Sequence, residues 1–373
     1  MTGVENMQKI KVIHTGDIHL GLEFKNTNFD PNFSRQRRLE IWNTFEKILD
    51  RCDEKEIDLL LIAGDLFEED YFTIGDIKRI ESRFRTLKMT KVVIVTGNHD
   101  PINKGSLYNL VEWPNNVYII KENSYTKIEL EDINITVWGL SWDKKEEKRN
   151  LLEDIHIDNT ENINILLAHG DIYNKNSNYM PIDLYNIKKV KFNYVALGHI
   201  HKHEFIDDKI AYCGSPEALD FGETGSHGII EGEISTRETR MTFVPFSERQ
   251  FVQKEITLNE NMNYQDIINS IVYSESEEER FKNLYKLNIS GVIDKDLSIN
   301  EDVINEIKSM FTHIEIIDNT VPDYDIETIY KENENNIIGY FIREMKGKDL
   351  ENKVIRRALY LGLESLLSEK VKL

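Results

Sequence analysis

The chain has 373 residues, 40% of them hydrophobic and 30% charged, with a net charge of −20. It holds no apolar run of about 18 residues, which excludes a helical membrane span, and its opening stretch MTGVENMQK lacks the apolar core of a secretory leader. The length suits two or three domains, and two distant cysteines, Cys52 and Cys213, exclude a disulfide framework or zinc cluster and fit a reducing cytoplasm.

The predicted elements start with a strand over 9–15 (KIKVIHT) that runs into Gly16-Asp17-Ile18-His19. A helix over 38–52 repeats Leu39, Trp42, Phe45, Ile48 and Leu49 at helical spacing and should pack on a sheet. Strand 57–63 (IDLLLIA) leads into Gly64-Asp65, and a helix follows over 74–87. Strand 92–96 (VVIVT) leads into Gly97-Asn98-His99-Asp100, with a further helix expected over 105–111. Strand 163–168 (INILLA) leads into His169-Gly170, and 192–197 (FNYVAL) into Gly198-His199-Ile200-His201. Segments 133–139 and 229–244 read as strands of a second sheet. Continuous Val/Ile/Leu runs suit strands covered on both faces, and alternation with helices suggests an α/β fold.

Each polar group above lies at the carboxyl end of a strand, where α/β sheets bind ligands. A lone Asp-x-His or His-x-His is more often a surface or capping pair. Five such groups in order, each after a β run, point instead to one site with oxygen and imidazole ligands and no cysteine. That donor set suits two hard or borderline divalent cations, and a pair of cations points to phosphoester hydrolysis. Asp65 can bridge two ions, Asn98 offers a carbonyl oxygen, and His99, beside it, is placed to give a proton to a leaving alkoxide. Among the other histidines, His14 reads as a core or supporting residue, His203 as a loop residue, and His156, His227 and His313 have no motif context.

The negative charge predicts weak DNA affinity for this chain alone, because nucleic-acid binding rests on lysine and arginine. Local basic clusters exist at Arg35, Arg37 and Arg38, at Lys144, Lys145, Lys148 and Arg149, and at Lys188, Lys189 and Lys191. Each is more often a solvated face than a phosphate contact.

From about Phe251 the pattern changes. A strand over 252–258, a helix over 263–272, an acidic stretch over 274–280, a strand over 281–289, a helix over 300–311 and a strand over 314–317 suggest a small α+β domain. Two helices, 325–345 and 349–370, follow. In the second, Val354, Ile355, Ala358, Leu359, Leu363, Leu366 and Leu367 form an apolar stripe, which suits either packing on its own domain or docking of a partner. The expected division is 1–250, 251–322 and 323–373.

The order Asp-x-His, Gly-Asp, Gly-Asn-His-Asp, His-Gly, Gly-His-x-His resembles the calcineurin-like metallophosphoesterase superfamily. The flanking residues His14-Thr15-Gly16-Asp17-Ile18-His19-Leu20-Gly21, Gly64-Asp65-Leu66-Phe67, Tyr212-Cys213-Gly214-Ser215-Pro216-Glu217 and Phe221-Gly222-Glu223 resemble the SbcD-type DNA repair exonucleases, and the short tail resembles the YhaO-like bacterial branch. The likeness covers about 9–245 with strong motifs. It implies a four-layer α/β/β/α sandwich with an α+β cap and C-terminal helices. It further implies a first metal on Asp17, His19, Asp65 and His201, and a second on Asp65, Asn98, His169 and His199. His99 would be the proton donor and Asp100 its orienting partner. The metal implied is manganese, Mn(II), and the activity a DNA exonuclease with possible endonuclease action. The partner implied is an SMC-like coiled-coil ATPase (SbcC-like or YhaN-like), with a homodimer formed through helices within 74–112. Two other readings remain: a phosphodiesterase or phosphatase for small phosphoesters or phosphoproteins, and a DNA-end-binding scaffold.

Overall fold

The computed structural model describes residues 9–25, 28–152 and 155–370, so the leader reading for residues 1–8 lies outside the described residues. The chain divides into two compact units, Met1–Gln250 and Phe251–Leu373.

In the first unit, β1 (Ile10–Thr15), α1 (Pro31–Glu54), β2 (Leu59–Ala63), α2 (Ile74–Thr86), β3 (Lys91–Val95) and β4 (Val117–Ile119) come first. They are followed by β5 (Thr126–Leu130), β6 (Ile135–Gly139), β7 (Ile163–His169), α3 (Leu184–Lys189) and β8 (Tyr194–Gly198). β9 (Glu204–Asp207), β10 (Ile210–Tyr212), β11 (Gly228–Ile234) and β12 (Thr239–Pro245) complete it. Two six-stranded sheets result, ordered β12-β11-β1-β2-β3-β4 and β5-β6-β7-β8-β10-β9. Their facing sides bury Val12, Leu61, Val93, Val137, Ile165 and Ala196. Ile41, Phe45, Ile48, Ile77, Ile80 and Phe84 of α1 and α2 cover the outer face of the first sheet, and Ile187 of α3 joins the cluster on the second. This is the α/β/β/α sandwich.

Local signals set the helix starts. Asp30 accepts from Asn32 N and Phe33 N ahead of Pro31, opening α1 seven residues before the predicted start. Thr73 and Asp76 form a capping box on α2.

Three expectations for this unit need correction. The 229–244 hairpin belongs to the first sheet, because β11 runs antiparallel to β1, with Ile10 opposite Ile234 and His14 opposite Ile230. Leu39 is 54% exposed, since the buried stripe of α1 runs through Ile41, Trp42, Phe45, Ile48, Leu49 and Cys52. The expected 105–111 helix is only a 3-10 turn over Leu107–Asn109. There Tyr108 is held by tertiary bonds: its hydroxyl donates to Asp100 (2.7 Å) and its carbonyl accepts from Trp113 (2.9 Å).

The second unit holds β13 (Phe251–Leu258), α4 (Tyr264–Val272), α5 (Glu277–Lys282), β14 (Leu284–Ile293), α6 (Glu301–Ser309) and β15 (His313–Pro322). It ends with α7 (Ile326–Glu332), α8 (Ile337–Lys346) and α9 (Lys353–Lys370). The sheet is parallel, in the order β13-β14-β15. One face packs Leu287, Ile289 and Ile314 against Ile267, Ile271 and Ile307.

Two helix assignments change here. The acidic stretch 274–280 contains the start of α5, because Ser276 accepts from Glu279 N. The single helix expected over 325–345 is two, because Asn336 leaves the helical run and caps α8 through Ile338 N and Gly339 N. The α9 stripe packs within this unit: Leu359 and Leu363 are buried with Ile338, Ile342 and Met345, while Val354 is 77% exposed. Among the described residues, no helix is long and apolar enough to cross a membrane.

Candidate metal centre

The five turns meet at one place because β1, β2 and β3 are neighbours in one sheet and β7 and β8 in the other. Asp17 N donates to Gly64 O (3.0 Å), and Ile18 N and His19 N donate to Asp65 O (2.9 and 3.0 Å), tying the first two turns together. The turns are sharp. Asp17, His19, Asp65 and His199 all have positive φ, at 49°, 52°, 50° and 102°. Two glycines make room for them. A Cβ on Gly64 would lie 2.4 Å from His169 Nδ1, and one on Gly97 would lie 2.2 Å from Asp65 Oδ1.

Ligand atoms of Asp17, His19 and His201 lie within 4.8 Å of one another, as do those of Asp17, Asp65 and His169, and those of His19, Asp65 and His99. His19 Nε2 is 3.1 Å from His201 Nε2 and 3.8 Å from Asp65 Oδ2. His169 Nε2 is 3.3 Å from Asp65 Oδ2 and 3.0 Å from Asn98 Oδ1. His199 closes that side: its main-chain N–H donates to Asp17, and its ring stands edge-on to His169 at 5.2 Å. All seven expected ligand residues therefore gather at one locus.

The imidazoles are oriented from behind. His19 Nδ1 bonds to Glu68 (2.7 Å), His201 Nδ1 to Glu223 (2.6 Å) and His169 Nδ1 to Ala63 O (2.8 Å). Each partner accepts the Nδ1 proton, so in the neutral ring each Nε2 presents its lone pair inward. Inward lone pairs next to two buried carboxylates are a donor set that fits divalent cations.

The protonation pattern has the same origin. Burial opposes the charged form of His169, yet Asp65 beside it raises that imidazole to about 9. His201 is likewise disfavoured by burial but raised to about 9 by its bond to Glu223 and the charge on Asp17. Burial and the neighbouring His169 push His199 down to about 3. Glu68 is opposed by burial, but hydrogen bonds from His19 and His99 hold it down at about 2.

The orienting partner of His99 is Glu68, not Asp100. Glu68 Oε2 lies 2.9 Å from His99 Nδ1, while its other oxygen holds His19. Asp100 is consumed elsewhere: it accepts from Asp65 N, Leu66 N, Gly97 N and the Tyr108 hydroxyl. Its carboxyl braces two turns against each other and is raised to about 6 by burial and by the nearby Asp65 charge. The sequence reading missed Glu68 and Glu223. Glu68 follows Asp65 by three residues, a spacing that could have marked it, and Glu223 stands in the Phe221-Gly222-Glu223 stretch.

Three of the remaining histidines are held by structural contacts. His14 is buried against the Tyr194 hydroxyl (2.9 Å), His203 stacks on Phe243, and His227 bonds Ser215 (2.9 Å). The basic clusters are largely neutralised. Arg37 is buried against Glu40 and Glu217, Lys145 pairs with Asp70, Lys144 and Arg149 with Glu147, and Lys188 with Asp207.

Residues 10–203 match the calcineurin-like phosphoesterase family. The chain belongs to that family. It is 26% identical over 243 residues to the uncharacterized metallophosphoesterase YhaO of Bacillus subtilis (strain 168), a match covering 60% of this chain and 58% of that protein. The chain thus spans little more than half the length of that relative. The strand-end cluster is the candidate divalent-metal site of this calcineurin-like phosphoesterase.

Proposed function

We propose that this calcineurin-like phosphoesterase is a Mn(II)-dependent DNA exonuclease that works with an SMC-like coiled-coil ATPase. The observation that supports the reading is the gathering of seven donor residues at one rim, beside His99, which Glu68 fastens. Asp17, His19, Asp65 and His201 would hold one divalent ion, and Asp65, Asn98, His169 and His199 a second. When bound, such a pair supplies positive charge and an activated water. The chain's own part is positioning and proton delivery. Glu68 accepts from His99 Nδ1, which leaves Nε2 to give a proton to the departing oxygen. His99 is raised against the effect of burial by its bond to Glu68 and by the charge of Asp65, which favours its proton-donating form.

A second reading, hydrolysis of small phosphodiesters, is favoured by the rim. A groove of about 530 Å³ lies beside Asn98 and His99. Its two lysines, Lys25 and Lys145, are already paired with Glu23 and Asp70 (2.6 Å each), leaving little to grip a long phosphate chain. Purified protein with Mn(II) should be assayed on end-labelled duplex DNA, single-stranded DNA and bis(p-nitrophenyl) phosphate. Cleavage of DNA ends at higher kcat/KM than the chromogenic diester supports the exonuclease. The reverse order assigns the small-diester reading, and no hydrolysis of any substrate overturns both.

A further inference from the structure

The sheet of the second unit buries one face and keeps the other polar. On that second face Glu255 stands opposite Asn288, Thr257 opposite Ser290, and Ser290 opposite Asn319. These residues line a cavity of about 580 Å³, closed on its far side by Arg356, Arg357 and Tyr360 of α9. The fold has no need of a polar cavity here, because its apolar core lies on the opposite face. The size falls within the range of small-molecule sites, roughly 300–1,000 Å³. The lining sits toward the carboxyl ends of three parallel strands, where such sheets place ligands.

The two guanidinium groups set the chemistry. Arg357 is fixed by main-chain carbonyls, donating to Thr320 O (2.6 Å) and Asp318 O (3.4 Å). Neither arginine has a carboxylate within ion-pair distance among the described residues, in a chain of net charge −20. Two guanidiniums lining one cavity are donors suited to a phosphate. Glu255 in the same cavity disfavours a polyanion and suits a neutral body with hydroxyl or amine donors. Asn288, Ser290 and Asn319 add donors and acceptors, and the Tyr360 ring, which stacks with Tyr324 at 6.4 Å between centroids, adds an aromatic wall for a base.

We propose that this cavity is a nucleoside monophosphate site, with the phosphate on Arg356 and Arg357 and the nucleoside against the polar sheet face. The proposal stands apart from what the metal centre hydrolyses. It is tested by titrating AMP, adenosine and inorganic phosphate into the full-length protein kept metal-free with EDTA, followed by calorimetry. One AMP per chain should bind, tighter than either fragment. Arg356→Ala should weaken AMP about tenfold or more without moving the melting temperature, since Arg356 is exposed, and Arg356→Lys should restore part of the loss. Asp65→Asn should bind AMP like the wild type. Absence of AMP binding at millimolar concentration overturns the proposal. So does AMP affinity unchanged by Arg356→Ala, AMP affinity lost in Asp65→Asn, or phosphate alone binding as tightly as AMP.

Discussion

The strand-end turns of the first unit and the terminal helices of the second solve opposite problems. The turns gather Asp17, Asp65 and four imidazoles into a space that no apolar packing would choose. The terminal helices bring Leu359 and Leu363 together with Ile338, Ile342 and Met345 in an apolar cluster. The difference teaches that the ligand cluster and the terminal apolar stripe have largely separate tasks, so the two can be tested apart.

The largest effect is expected at His99. His99→Ala should lower hydrolysis by roughly 10²–10⁴-fold while leaving the melting temperature and metal uptake near wild type, because the ring is half-exposed and only its Nδ1 is held by the fold. A variant that cleaves at the wild-type rate breaks the functional side of the comparison. Deleting 349–373 is the converse test. Two buried leucines are lost, each worth roughly 1.5–3 kcal/mol, so thermal stability should drop sharply. If the truncated chain melts like the full one, the stripe serves a partner rather than its own unit.

Glu68 stands between the two classes. Glu68→Gln removes the charge shared by His19 and His99 and should weaken metal affinity and turnover by about 10–100-fold, the usual effect of a ligand's backing group. Asp100→Asn should act through stability instead, since its carboxylate braces the turns without touching the His99 ring. Equal turnover in Glu68→Gln and wild type would return the orienting role to another group.

The smallest effect is a pH dependence. In metal-free protein His169 and His201 hold their protons up to about 9, above the unfolded value of about 6.5. The stability these protons contribute is complete below about 6.5 and is lost as pH rises through about 9. The melting temperature of EDTA-treated protein should therefore fall over that interval. Manganese, which needs the neutral rings, should bind better as pH rises and flatten the decline. A metal-free melting temperature that climbs over the same interval contradicts this protonation pattern.

The metal centre was legible because its residue types are dictated by chemistry and its order by the sheet. Strand runs ending in Asp17, Asp65, Asn98, His169 and His199 can be read one at a time, and each lands at the same rim. Glu68 escaped because a carboxylate three residues past a ligand has many ordinary uses, and only the folded turn brings it onto two histidines. The assignment of 229–244 to the wrong sheet has a similar cause. Alternating strands carry no mark of which edge they join, and the choice was made by the long-range pairing of Ile234 with Ile10. In the second unit the strands and α6 were visible from their periods. The break at Asn333–Asn336 was not, because asparagine caps a helix through side-chain bonds that hydrophobic spacing does not register.

The left-handed backbone at Asp17, His19, Asp65 and His199 has an evolutionary side. Side chains other than glycine resist that conformation, at roughly 1–2 kcal/mol each and less for aspartate. Variants sorted only for heat resistance would thus drift toward glycine at His19 and His199. They would gain robustness at the positions where catalysis is lost. Histidine at such turns trades backbone ease for ligand chemistry, so a stabilisation of this chain by substitution should leave those four positions alone.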